Sequence, residues 1–196
     1  MAKGANDVIL RDRLQFDLST TGDTALVYGR IDLSDYVSIV ENKGLAIKEI
    51  RFQLRAPDQP NGMWPMTFVL SANGAEKEGY VKIFATTTAY ELVSDIGLAS
   101  PNVICLFEKQ CQLSTNLLGP GELSISYKDD FYGTPDLHPE GYDVVTDLLI
   151  GIACDGVDGF NAGAVETCEL DVMLIAEPKK ITQKDLTQML TQAQDL

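Results

Sequence analysis

The chain has 196 residues, with 15 Lys and Arg against 29 Asp and Glu and a net charge of −14. That length fits one domain, and 45% hydrophobic against 22% charged residues excludes wholesale disorder. The charge argues against an extended phosphate-binding face, which needs clustered Lys and Arg; no apolar run reaches the roughly 18–20 residues of a membrane-spanning helix, and Met1 to Asp7 lacks the apolar stretch of a secretion signal.

Strand signals dominate in chain order. Val8 to Phe16 and Ala25 to Leu33 are short apolar or alternating runs bounded by Ser, Thr, Gly and Asp. Between Leu45 and Arg55, Ile50, Phe52 and Leu54 alternate with Arg51, Gln53 and Arg55, the period of two of a half-buried strand. Leu45 and Ile47 have the opposite parity, so a bulge near Lys48 and Glu49 would keep both sets on the core face. Met63 to Ala72, Tyr80 to Thr87, Val103 to Phe107 and Leu123 to Tyr127 follow, separated by Asn-Gly, Gly-Pro-Gly and related turn signals. Asp147 to Cys154 is apolar on both parities, as a central strand covered on both faces would be, and Glu169 to Ala176 closes the series. The core residues predicted from these patterns are Ile50, Phe52, Leu54, Leu123, Ile125, Leu149, Ile152, Val172 and Leu174.

Roughly eight to ten strands at such intervals, with no long helical run between them, predict an all-β fold. It is read as an antiparallel β-sandwich, jelly-roll-like, with a short C-terminal helix. Ala89 to Ile96 has the composition of one or two helical turns. The tail from Thr182 to Gln194 carries the stronger helix signal: Thr182 and Asp185 form a capping-box-like start, and Leu186, Met189 and Leu190 fall at helical spacing. The domain reading is residues 1–178 for the sandwich and 179–196 for the helical tail. A helix this short needs something to dock on, and Leu186, Met189 and Leu190 are the expected contact with a neighbouring subunit.

Two long loops, Asp129 to Gly141 and Asp155 to Gly163, are rich in acidic, aromatic and glycine residues, a composition and length common in functional or contact-forming loops. His138 is the only histidine, so a sandwich holding metal through several histidines cannot be built. A nucleophilic triad would have to use that same His138, and no Gly-x-Ser-x-Gly elbow accompanies it. Placing Asp155 first puts Glu166 twelfth, as in a calcium-binding loop, but Val157 and Gly159 stand where oxygen ligands belong. What remains is an irregular calcium site on Asp155, Asp158 and Asn161, weighed against an ordinary solvated loop; no other cofactor is implied. Asp129 and Asp130 read as a solvated turn that could also join a divalent bridge. The four cysteines are spaced by 6, 43 and 14 residues, unlike a zinc site, and Cys105, Cys154 and Cys168 sit in apolar runs that predict buried free thiols. Trp64 in Met63-Trp-Pro-Met66 reads as an anchor at a strand start.

The segment Asp32-Leu-Ser-Asp-Tyr-Val37, followed by Lys43 to Arg55, resembles the opening strands of the small single jelly-roll major capsid proteins of tailless, membrane-containing DNA viruses. The likeness covers the strand succession over residues 8–176 and carries no functional residue with it. It implies a structural subunit of a viral capsid or similar shell, self-assembling and without catalysis, whose partners are like subunits and other capsid proteins. Such a protein is made in the host cytoplasm and resides in the virion. One departure is informative: this N-terminus offers only Lys3, Arg11 and Arg13 in place of a basic arm. Direct contact with nucleic acid is therefore not expected: either an underlying viral membrane or another protein separates the shell from the genome, or the particle is empty. The alternative reading is a β-sandwich binding or adhesion module that recognises a glycan or surface ligand through its long loops.

Overall fold

The structure, a computed structural model, describes residues 6–20, 22–58, 62, 67–68, 77–114, 124–132, 140–158 and 165–192, with the backbone alone at 67–68, 77–78, 111–114, 124–132, 157–158, 188, 190 and 192. Its elements are β1 (Val8–Leu18), β2 (Thr24–Ile31), β3 (Lys43–Arg55), β4 (Thr67–Phe68), β5 (Lys77–Thr86), β6 (Val103–Ser114), β7 (Ser124–Tyr132), β8 (Tyr142–Val144), β9 (Leu148–Asp155), β10 (Val157–Asp158), β11 (Glu166–Lys180) and α1 (Gln183–Gln192). One sheet has the order β1-β11-β3-β8, a second the order β2-β9-β5-β6-β7, and β4 and β10 form a short ribbon. Setting aside that ribbon and β7, eight strands remain. The first pairs with the eighth, the second with the seventh, the third with the sixth and the fourth with the fifth, all antiparallel. That is the strand order of a jelly roll, one long antiparallel hairpin rolled into two facing sheets.

Alternation along the strands fills the space between the sheets. From the first sheet come Phe16, Leu18, Ile50, Leu170, Val172 and Leu174; from the second come Val81, Ile83, Ile150, Ile152 and Cys154. The predicted bulge lies where the parity argument put it. Glu49 faces Ile175 and Ile47 faces Ala176, so Lys48 is the extra residue and both Ile47 and Ile50 reach the core. The bulged Lys48 turns its ammonium to Asp7 at 2.8 Å and to Glu177.

Phe52 and Leu54 are only partly buried against this core. Leu149 departs from expectation: it is half-buried on the opposite face, because a strand of period two cannot place it with Ile152. Leu123 lies outside the described residues, and Ile125 contributes only its backbone, opposite Leu113.

The second sheet also buries part of its outer face. The β5–β6 connection folds back over it, bringing Ile96 against Phe84 and Leu106, with Leu26, Tyr28, Tyr90 and Val103 around them. Of the predicted helical turns only a 3₁₀ turn at Val93–Asp95 forms. The Phe84 ring lies directly over Gly151, where any β-carbon would overlap it, and meets the Tyr28 ring edge-on at 5.7 Å. Lys82 secures the connection by donating to the carbonyls of Ile96 (2.8 Å) and Val93 (3.4 Å) while pairing with Glu108 at 2.8 Å.

β11 runs to Lys180, two residues past the expected end of the sandwich. The tail helix then starts on its predicted cap, the Asp185 N–H donating to Thr182 Oγ1 at 3.2 Å.

Candidate functional site

The residues singled out from the sequence scatter. Asp155 ends β9 and is exposed, Asp158 lies in β10 opposite Thr67, and Asn161 is outside the described residues. Beside them, the Gly156 N–H donates to the Asp23 carboxylate at 3.0 Å. Among the described residues no three His, Cys, Asp or Glu side chains gather as metal ligands. Asp129 and Asp130 are paired in β7 with Lys109 and Glu108 of β6, described by backbone alone; His138 and Trp64 fall outside the described residues. Cys105, Cys154 and Cys168 are buried and free, as their apolar neighbours predict. Burial pushes the Cys105 and Cys168 thiols up to about 12 and Cys154 higher still, so none has the thiolate character of a nucleophile.

Of the tail residues, Leu186 is not placed for a neighbour. Leu186 is buried inside its own subunit, in a cluster with Val145 and Ile181 that Val37 and Met189 flank. Ile181 reaches it by crossing Gly44, where no side chain would fit, and its N–H donates to the Asn42 carbonyl at 2.8 Å. In this conformation Leu186 has no surface left for a neighbour; the Leu190 side chain lies outside the described residues. Helical spacing correctly announced that the helix docks, but spacing cannot say on which chain.

What the sequence did not single out is the outer face of the β1-β11-β3-β8 sheet. The register sets Arg11, Met173 and Arg51 in one row, Arg13, Asp171 and Gln53 in the next, and Gln15, Glu169 and Arg55 in a third. Four of the five arginines of the chain stand on this face. Arg13 holds Asp171 by two parallel bonds of 2.6 and 3.2 Å and reaches Glu169 at 3.3 Å. Arg55 approaches the same two carboxylates at 3.6 Å, and the Gln15 amide donates to Glu169 at 3.3 Å. Its hydrogen bond to Arg13, more than any other influence, holds the Asp171 carboxyl below the usual carboxylate range. In the first row Arg51 pairs through Nε with Glu49, and no described ion pair or hydrogen bond engages Arg11. Arg11, Arg13, Arg51 and Gln53 are exposed around a shallow depression of about 770 Å³. A second depression of about 370 Å³, on the other sheet, is bordered by Tyr80, Lys82, Ser94, Glu108 and Gln110. The signal for the arginine face was present as same-parity arginines at 11 and 13 and at 51 and 55, but only the register brings the pairs together.

No family model matches the chain, and no curated protein matches it. Among solved structures, the 60-mer BFDV capsid protein aligns over 92% of this chain and 98% of its own, at 12% identity and a TM-score of 0.34. The jelly-roll assignment rests on the strand order given above, not on that likeness.

Proposed function

We propose that the protein is a structural subunit of a viral capsid or similar shell, assembling with copies of itself. The observation that carries this reading is a jelly roll whose interior is filled by its own aliphatic side chains. Among the described residues, Leu33, Ile47, Ile83, Ile150, Ile152, Leu170 and Leu174 pack together between the sheets, where ligand-holding members of this architecture keep a cavity. With aliphatic side chains packed there, recognition falls to the outer faces and to the edge strands β1, β8, β2 and β7. The resemblance noted in the sequence favours the capsid proteins of membrane-containing viruses. The charge of −14 supports a membrane or another protein, rather than this chain, lying against the genome.

A binding module is the second reading, favoured by the Tyr80–Gln110 depression, whose volume of about 370 Å³ is that of a small ligand site. Negative-stain imaging and sedimentation of the purified chain, with and without calcium, separate the two. Shells or tubes are expected, calcium-dependent if Asp155 and Asp158 bridge subunits. A strict monomer at high concentration under both conditions overturns the shell reading, and binding on a glycan array would then favour the module.

A further inference from the structure

We propose that the outer face of the β1-β11-β3-β8 sheet is a docking surface for the acidic surface of a second copy of this chain, centred on the row Arg11, Met173 and Arg51. The inference rests on the shell reading, because it names the contact by which like subunits meet.

The argument starts from charge. The chain carries −14, so most of its surface repels another copy of itself. On this face four arginines meet Glu49, Glu169 and Asp171. The face is therefore close to neutral on a strongly acidic molecule. The lower rows are satisfied internally, since Arg13 and Arg55 are committed to Asp171 and Glu169. The upper row is not: Arg11 has no described partner, and Arg51 engages Glu49 through Nε alone. Both are exposed on either side of a half-buried Met173. An adjacent-strand spacing of about 4.8 Å puts their backbones roughly 10 Å apart. Guanidinium groups offer planar forks suited to carboxylates, and Arg and Met are residue types enriched at protein interfaces.

Charge complementarity selects the occupant. Another copy supplies carboxylates in excess, and a two-fold contact centred on this row would set the arginines of one copy against those of the other. The contact must be heterologous, this face of one subunit on a different face of the next. Contacts of that kind propagate around rings and closed shells.

Sedimentation of the full chain at about 50 mM and about 1 M salt, beside the double variants R11E/R51E and R11Q/R51Q, tests this. Wild type should associate; at about 50 mM salt the glutamate variant should lose roughly tenfold in association constant and the glutamine variant less, and the gap between wild type and variants should narrow at about 1 M salt. Should the charge reversal disturb folding, as judged by circular dichroism, the glutamine pair carries the comparison. Wild-type assembly matched by both variants overturns this inference and leaves the shell reading standing. A wild type that never associates overturns the shell reading and this inference with it. Vesicles containing phosphatidylglycerol identify a different occupant: the inference is overturned if they bind wild type but not the variants while self-association is unchanged.

Discussion

Over the β2-β9-β5-β6-β7 sheet the chain lays its own connection between β5 and β6, burying Phe84, Ile96 and Leu106. Over the β1-β11-β3-β8 sheet the rows of arginine stay exposed. The covered face is apolar because Gly151 leaves room for the Phe84 ring, and the ring then gives the connection something to close on. The bare face is charged, and its inner rows are held by Arg13 and Arg55 around Glu169, a carboxylate only 8% exposed. One sheet is thus covered in part by its own subunit, while the other offers Arg11 and Arg51 with hydrogen-bonding capacity to spare.

The covered face should yield the largest effects. Phe84→Ala should cost about 3–5 kcal/mol, the range for deleting a buried aromatic ring, measured by urea denaturation. Gly151→Ala should cost about 1–3 kcal/mol by overpacking, because its new β-carbon overlaps the ring. In the Phe84→Ala background the same glycine substitution should cost almost nothing. Equal costs in both backgrounds would mean that the ring and the glycine are not coupled.

Lys82→Met comes next. It removes the ammonium that binds the Val93 and Ile96 carbonyls and Glu108, so a loss of about 1.5–3 kcal/mol is expected for charge-assisted bonds at a half-buried site. Amide exchange should quicken across residues 87–102 and hardly change in β1 and β11. A uniform change would place Lys82 in the global core rather than in the cover.

These two faces were unequally legible in the sequence. The bulge at Lys48 and the Thr182 cap could be read because each is local: parity on one strand, spacing on one turn. Gly151 carried no such sign, since a glycine inside an apolar strand says nothing about which ring will cover it. The arginine rows needed the pairing of β1 with β11, which joins Arg11 to Met173. Alternation alone gives each strand its two faces but not its neighbours. The place of Leu186 was hidden for the same reason: it is apolar at helical spacing, yet only Gly44, far away in sequence, lets Ile181 draw the helix onto its own subunit.

On the bare face the effects should be smaller and dependent on pH. Asp171 has its pKa depressed, chiefly by the hydrogen bond from Arg13. Its contribution is therefore complete above the unfolded value of about 3.9 and is lost as pH falls through the lower folded value. Asp171→Asn should lower stability at neutral pH and flatten the loss of stability below about pH 4. Thermal melts across that range check this; parallel wild-type and variant curves would remove the Arg13 clamp from the account.

The smallest effect is expected at Arg11, and it decides whether the bare face serves folding or docking. Arg11 stands on an edge strand, exposed and without a described partner, while Arg13 two residues on is bound to Asp171 and Glu169. An unpaired surface arginine contributes little to a folded monomer, so Arg11→Gln should shift unfolding by no more than about 0.5 kcal/mol. Arg13→Gln should cost more, because it leaves the nearly buried Glu169 with fewer donors. Urea titrations of the two variants, run as monomers at low concentration, make the comparison. Equal losses would mean that Arg11 stabilises the monomer through contacts of its own, and its exposure would no longer mark a surface kept for a partner.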